Sequence, residues 1–184
     1  MTGIKLQSVS FRYQKTPVLQ NLSFEINQGN FLGITGTNGS GKSTLLYLLN
    51  GLIPHEIPGK LSGKIFLNNV TSRLVFQNPD FSIFNLTIRE EITFGNPQAD
   101  VASALNLVGL NGYADRDPQT LSFGQKQKIC LAAALAVNPD YLLLDEPTAM
   151  LDYKSSVELY EILKNLNKAG KTIIVVEHDT DFLL

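Results

Sequence analysis

Apolar and polar residues alternate along the first part of the chain, and continuous apolar runs follow later. Ile4–Tyr13 alternates apolar and polar residues, with Ile4, Leu6, Val9, Phe11 and Tyr13 as the apolar ones, and Leu22–Ile26 does so again. The pattern predicts two half-buried strands joined by a turn around Lys15–Pro17. The run Tyr141–Leu144 is wholly apolar, as expected for a strand of a parallel sheet that is covered on both faces. Further short strands are predicted at 31–35, 64–67, 74–76 and 172–176.

Helical spacing of apolar residues follows several of these strands. Ser122 and Asp152 are typical N-cap residues, and Gly51 and Gly170 are typical of helix ends. The clearest predicted helices run from about 42 to 50, from 122 to 137 and from 152 to 170. This alternation of strands and helices predicts an α/β fold with a mainly parallel sheet.

The stretch from Asn78 to Thr120 differs from the rest of the chain. Pro79, Pro97 and Pro118 punctuate helical segments, of which Ala99–Val108 is the clearest. We therefore predict a helical insertion at 79–120. A core formed by 1–78 and 121–184 surrounds it, and the whole of 1–184 is one domain.

Composition excludes several classes of protein. Hydrophobic residues make up 43% of the 184 residues and charged residues 17%, which is typical of a soluble globular chain. A net charge of −2 with scattered basic residues argues against a nucleic-acid partner. The nine-residue apolar run Ile129–Val137 is too short to span a bilayer, and the N-terminus has no signal-peptide pattern. We expect a cytoplasmic protein without its own membrane anchor.

A glycine-rich segment after the strand at 31–35 carries the strongest chemical signal. Its spacing, G-x-x-x-x-G-K-S, is that of the phosphate-binding P-loop. Lys42 would reach the β- and γ-phosphates, and the Ser43 hydroxyl would bind Mg²⁺. The alternative is a plain glycine-rich turn between a strand and a helix. The predicted nucleotide contacts are Gly36, Thr37, Asn38, Gly39, Ser40, Gly41, Lys42, Ser43 and Thr44.

Polar residues end three other predicted strands. Asp145 and Glu146 follow the strand at 141–144, at the edge of an α/β sheet where ligands bind. Asp145 would hold Mg²⁺, and Glu146 would polarise an attacking water, unless the strand simply ends at a polar turn. His178 could contact a γ-phosphate, or it is a surface residue. Gln77 could offer its amide oxygen to Mg²⁺ or water, although this residue is uninformative alone.

Ser122, Gly124 and Gln125 open the predicted helix after the insertion. Free N–H groups at a helix start form an anion site, so this segment would be a second such site in one chain. A single nucleotide hardly needs two of them, whereas a dimer would use each chain's second site to close over the other chain's ATP. The alternative is a helix that is merely capped by serine.

Taken together, these residues resemble the nucleotide-binding domain of an ATP-binding cassette (ABC) transporter over nearly the whole chain. In that family's terms, Gly36–Ser43 matches Walker A, Leu142–Glu146 Walker B and Leu121–Gln125 the signature. Gln77 falls at the Q-loop, Asp152 at the D-loop, His178 at the switch histidine and Tyr13 at the adenine-stacking aromatic, although Tyr13 could instead be a core or edge-strand aromatic. The resemblance implies a P-loop NTPase fold with an N-terminal antiparallel β layer and an inserted helical subdomain.

A narrower resemblance is to the ATPases of energy-coupling factor importers, which take up vitamins and ions such as cobalt and nickel. It rests on Asn50–His55, Val75–Asp80, Gly124–Lys128 and Glu146–Asp152. It implies an ATPase that uses ATP and Mg²⁺ at the cytoplasmic face of the membrane. Its partners would be a second ABC ATPase subunit, identical or paralogous, and transmembrane subunits. The alternatives are a soluble ABC-type ATPase and a regulatory subunit that hydrolyses ATP weakly.

An apolar groove beside Gln77, formed by Phe76, Phe81, Ile83 and Phe84, would then receive a helix of the transmembrane partner. The alternative is that these side chains pack inside the insertion.

Three features depart from the family pattern. Phe123 stands where the signature usually has its first glycine, and only Asn68–Arg73 separates two predicted strands. The sequence also ends six residues after His178, so the domain is expected to lack the usual C-terminal end.

Overall fold

The computed structural model describes residues 3–68 and 70–178. Residues 1–2 and 179–184 of the predicted core, and Asn69 of a predicted turn, lie outside this range. The strands are β1 (Gly3–Tyr13), β2 (Thr16–Asn27), β3 (Phe31–Thr35), β4 (Lys60–Phe66), β5 (Ser72–Val75), β6 (Tyr141–Asp145) and β7 (Thr172–Glu177). The helices are α1 (Lys42–Asn50), α2 (Leu52–His55), α3 (Ile88–Thr93), α4 (Val101–Leu107), α5 (Phe123–Leu135) and α6 (Tyr153–Lys168).

An antiparallel sheet of order β2-β1-β4 is built from the first part of the chain. Ile4, Leu6, Val9 and Phe11 are buried in one core, although an even spacing of two is broken between Leu6 and Val9. An irregularity of the strand pairing at this point, with Ser8 at a φ of 48°, keeps the four side chains on one side. The prediction for β2 was too short, because this strand already begins at Thr16. Its Pro17 is tolerated because β2 lies at the edge of the sheet, where a missing N–H breaks no ladder.

A parallel sheet of order β3-β7-β6-β5 forms the centre of the fold. Every residue of β6 and β7 is buried. The predicted α/β class with a parallel sheet and an N-terminal antiparallel layer is therefore confirmed. Since all four strands run in the same direction, their carboxyl ends meet at one edge.

Alternate residues of the central strands belong to two different cores. Tyr141, Leu143 and Ile174 pack towards the antiparallel sheet and α1. Their neighbours Leu142 and Ile173 pack on the other side, with α5, α6 and the helical insertion. This period of two means that the parallel sheet is covered on both faces.

The helical insertion consists of α3, α4 and two short 3₁₀ turns, Pro79–Phe81 and Pro118–Thr120. Its buried side chains, such as Ile88 and Leu105, share one core with Ile129 of α5. The segment after Gly51, which we expected to be a loop, contains the single helical turn α2. Among the helices that the structure describes, none combines the length and the hydropathy needed to cross a bilayer.

Candidate functional site

The glycine-rich loop joins β3 to α1 at the carboxyl edge of the parallel sheet. Gly41 is the N-cap of α1 and has a φ of 96°, in the left-handed region that favours glycine. A Cβ atom at this position would lie 2.9 Å from Val18 Cγ1 and 3.1 Å from Leu19 Cδ2. Glycine is required here for two reasons, the backbone angle and the close approach of β2.

Lys42 is buried in the loop that precedes it. Its Nζ donates to the carbonyl oxygens of Gly36, at 2.9 Å, and Thr37, at 3.2 Å. The next residue, Ser43, donates its hydroxyl to Asp145 Oδ1 at 3.0 Å. The structure therefore brings the P-loop and the end of β6 into direct contact.

Glu146 accepts hydrogen bonds from two of the other predicted residues. The distance from His178 Nε2 to Glu146 Oε1 is 2.8 Å, and Gln77 Nε2 donates to Oε2 at 3.2 Å. The short first distance fits a proton on His178 Nε2. A protonated Nε2 cannot accept a hydrogen bond. Lys42 Nζ, which lies 3.4 Å from this nitrogen, is therefore a neighbour and not a hydrogen-bond partner. Lys42 Nζ also lies 3.9 Å from Glu146 Oε1.

The electrostatics at Asp145 favour a bound cation. Burial raises the pKa of this carboxyl above its ordinary value, and the hydrogen bond from Ser43 opposes the shift. The Glu146 charge raises the pKa further, whereas Lys42 lowers it. A buried carboxylate beside a hydroxyl offers the hard oxygen ligands that Mg²⁺ prefers, so the residues present fit this ion. The Gln77 side chain faces Glu146 through its nitrogen.

A cavity of about 290 Å³ lies in front of the P-loop. Tyr13 is half-buried at its wall, with its hydroxyl 3.2 Å from Thr44 Oγ1 and its ring edge-on to Phe11. Val18 also lines the cavity, and sequence reasoning missed it because nothing in a β-strand pattern marks one half-buried valine as a site residue. The lining residues are Tyr13, Val18, Asn38, Gly39, Gly41, Lys42, Ser43, Thr44 and Glu146.

The other predicted site residues form a second group. Ser122 caps α5 in a capping box, in which its side chain accepts from Gln125 N and Gln125 Oε1 accepts from Ser122 N. Gly124 packs against Ser155 of α6, whose N–H donates to Asp152 Oδ1 at 2.7 Å. Within the described residues, no hydrogen bond joins this group to the P-loop.

Glu177, which the sequence analysis did not select, is 2% exposed at the end of β7. One of its oxygens, Oε1, accepts from Thr148 Oγ1 at 2.7 Å, from Thr148 N at 3.3 Å and from Tyr160 OH at 3.4 Å. Burial raises the pKa of Glu177, and these hydrogen bonds lower it. The signal that could have identified Glu177 is the one that identified Asp145, a carboxylate at the end of a wholly buried strand.

Comparisons with known proteins agree on one family. A family model described as ABC transporter matches residues 19–149. A protein of Pyrococcus horikoshii named as an ABC transporter ATP-binding protein is 41% identical, over 100% of this chain and 73% of its own length. An energy-coupling factor transporter ATP-binding protein of Thermotoga maritima is 39% identical, over 98% of this chain and 74% of its own. The solved structure of CbiO from Clostridium perfringens, part of the ABC transporter complex CbiONQ, superposes with a TM-score of 0.86 at 30% identity. It covers 98% of this chain and 80% of CbiO.

Proposed function

Because this chain belongs to the ABC transporter family and is one of its ATPases, we propose that it powers an importer of the energy-coupling factor type. The observation that carries the proposal is the connected group at the sheet edge. Lys42, Ser43, Asp145, Glu146 and His178 come from three separate segments and contact one another there. Phosphoryl transfer relies mainly on such positioning and on charge stabilisation.

Each residue of this group has a proposed role. The P-loop and Lys42 would bind the phosphates of ATP, and Tyr13 would stack on the adenine. Ser43, Asp145 and Gln77 would hold Mg²⁺, which supplies positive charge next to the phosphate oxygens. Glu146 would accept the proton of the attacking water, and His178 would hold the γ-phosphate.

The second group would act on the nucleotide of another copy. Ser122 is exposed at the start of α5. Gln125 donates its N–H to the Ser122 hydroxyl and its side-chain amide to the Tyr113 hydroxyl, so these hydrogen bonds do not involve the P-loop. Two subunits, identical or paralogous, would close head to tail, with the Ser122–Gln125 segment of each facing the P-loop of the other. Phe123 leaves the capping box intact, so we expect it to weaken closure and not to abolish it.

The groove beside Gln77 supports a membrane partner. Phe81 is 88% exposed and Phe84 is 63% exposed, so the alternative of internal packing is wrong for these two residues. It is right for Ile83, which is only 5% exposed and belongs to the core. Phe84 packs edge-on against Phe94, and both line a cavity of about 380 Å³. An exposed apolar groove of this kind fits a helix of a transmembrane subunit.

This arrangement would hold the chain at the cytoplasmic face of the membrane as a peripheral subunit. A vitamin or a transition-metal ion is the proposed cargo, because the relatives include energy-coupling factor ATPases.

A second candidate is a regulatory subunit that binds ATP and hydrolyses it weakly. Phe123 favours it, since this side chain replaces a glycine in the segment that would contact the second nucleotide. Its turnover would stay low even with membrane subunits present.

Co-purification from detergent-solubilised membranes tests the proposed importer. We expect transmembrane subunits to co-purify with the wild-type chain and to stimulate its ATP turnover. A Phe81→Ser/Phe84→Ser variant should lose these subunits, whereas Leu107→Ser, which removes an exposed leucine outside the groove, should keep them. If wild-type protein retains no membrane subunit, the importer proposal fails. If subunits co-purify without stimulating turnover, the regulatory candidate is favoured.

A further inference from the structure

The backbone at Glu146 is strained. Its φ is 46°, in the left-handed region that residues with a Cβ rarely adopt. Glu146 also precedes Pro147, and a residue before proline prefers an extended backbone with negative φ. Such a conformation persists only when the surrounding structure holds it on both sides.

On one side, the restraint comes from the sheet. Glu146 N donates to the carbonyl oxygen of Val176 at 2.9 Å, which extends the pairing of β6 with β7 by one residue. This bond fixes the amide of Glu146 and leaves the chain after it free to turn.

On the other side, the restraint comes from Glu177. Two residues after Glu146, Thr148 gives both its hydroxyl and its N–H to Glu177 Oε1. The hydroxyl bond, at 2.7 Å, is short and buried, and it joins the segment 146–151 to the residue next to His178. Hydrogen bonds to a carboxylate are stronger than those between neutral groups.

Packing supports the segment 146–151 unevenly, because Pro147 and Thr148 are buried and Leu151 packs against the core, whereas Ala149 and Met150 are exposed. A cavity of about 360 Å³ lies beside it, lined by Glu146, Ala149, Leu151, Ser156 and Glu177 among others. The remaining backbone bonds, from Ala149 N to Glu146 O and from Leu151 N to Thr148 O, are internal to the segment. Among the hydrogen bonds of the described residues, the Thr148–Glu177 contact therefore ties the part of the segment after Glu146 to the sheet.

We propose that Glu177, acting through Thr148, is a positioning residue that holds the left-handed backbone of Glu146 and so directs the Glu146 carboxylate at the attacking water. The inference rests on the proposed role of Glu146. It places Glu177 outside the contacts with nucleotide, because its partners are Thr148 and Tyr160.

Matched substitutions at Thr148 test this role. Thr148→Val keeps the shape and removes the hydroxyl donor, whereas Thr148→Ser keeps the donor. We expect Thr148→Val to lower kcat for ATP about 10-fold while KM stays within about 2-fold, because only the orientation of the base changes. Thr148→Ser should restore most of the turnover. Ser156→Ala is the control, since it removes another buried hydroxyl that lines the same cavity but bonds to Asp152 O.

Two further measurements separate positioning from loss of folding. Hydrogen exchange of the nucleotide-free protein should show faster exchange in 146–151 for Thr148→Val, with the rest of β6 and β7 unchanged. Glu177→Gln keeps an acceptor oxygen, so it should retain more turnover than Thr148→Val. Equal activity of Thr148→Val and wild type would overturn the inference. ATP turnover by the wild type would still leave the proposed function standing. If the wild-type protein hydrolyses no ATP in the presence of its membrane partners, both the positioning role of Glu177 and the proposed function fail.

Discussion

The Lys42 side chain is hydrogen-bonded to the glycine-rich loop that precedes it. Its ammonium group donates to the carbonyl oxygens of Gly36 and Thr37 and lies near Glu146, so its positive charge is already positioned before any nucleotide enters. The sequence could predict Lys42, Ser43, Asp145 and Glu146 because each belongs to a short motif of fixed spacing. It could not predict the Thr148–Glu177 contact, because residues 29 positions apart along the chain meet only once β6 and β7 are paired.

Removing the Lys42 charge should remove nucleotide binding. We expect Lys42→Ala to weaken ATP affinity by at least about 10-fold, because a charge-assisted hydrogen bond to phosphate is worth about 1.5–3 kcal/mol. Binding of a fluorescent ATP analogue measures this effect. Lys5→Ala, which removes a lysine exposed on β1, is the control. Full ATPase activity of Lys42→Ala would refute the P-loop assignment.

The buried Glu177 should make stability depend on pH. Its pKa in the folded chain is above the ordinary value of 4.5, mainly because of burial and with a contribution from the Glu146 charge. The folded state therefore holds the proton more tightly than the unfolded state. The stabilisation is complete below the unfolded pKa and is lost as pH rises through the folded pKa. Urea unfolding from pH 4 to pH 8 should show the stability of wild type falling relative to that of Glu177→Gln. A constant difference would contradict this prediction.

At the scale of elements, the predicted helices and strands differ in how well the sequence specifies them. The buried strands β6 and β7 and the capped helices α5 and α6 were predicted closely, because continuous apolar runs and N-cap residues are local signals. The start of β2 was missed, because whether Pro17 is tolerated depends on an edge position that only the assembled sheet defines. The groove aromatics and Ile83 also look alike in sequence, and only the packing of α3 and α5 separates them.

The start of α1 offers a test at this scale. Gly41→Ala should lower the free energy of unfolding by about 2–4 kcal/mol, since the new Cβ meets Val18 and Leu19 in addition to the left-handed strain. Gly29→Ala carries a similar strain, with φ at 79°, but its Cβ meets no atom within 4 Å. It should cost only about 1 kcal/mol. If Gly41→Ala and Gly29→Ala lose the same free energy of unfolding in chemical denaturation, the contact with β2 is unimportant.

At the scale of the whole molecule, no hydrogen bond of the described residues joins the Ser122–Gln125 segment to the P-loop, and this motivates the proposed dimer. The resemblance of the sequence to a known family led to the same expectation, which no spacing of residues could have supplied alone.

Glu146→Gln should reveal the dimer. Without a base the variant should still bind ATP, and we expect it to accumulate as a closed dimer, because hydrolysis that reopens it is slowed by about 100-fold or more. Light scattering with and without Mg–ATP measures the mass. Adding Lys42→Ala to Glu146→Gln should return the protein to a monomer. If Glu146→Gln stays monomeric while wild type dimerises with ATP, Glu146 is not the base.

The contact between His178 and Glu146 should restrain the proposed base when no nucleotide is bound. While the imidazole donates to Oε1 and Gln77 donates to Oε2, the carboxylate has both oxygens engaged and is poorly placed to deprotonate a stray water. If the γ-phosphate takes over the His178 imidazole, as we propose, this contact must break, and the work of breaking it is subtracted from the binding free energy of ATP. The His178→Ala variant should therefore bind ATP with higher affinity in a binding titration, even though its ATP turnover is slower. Weaker binding by that variant would mean that the imidazole serves the phosphate alone.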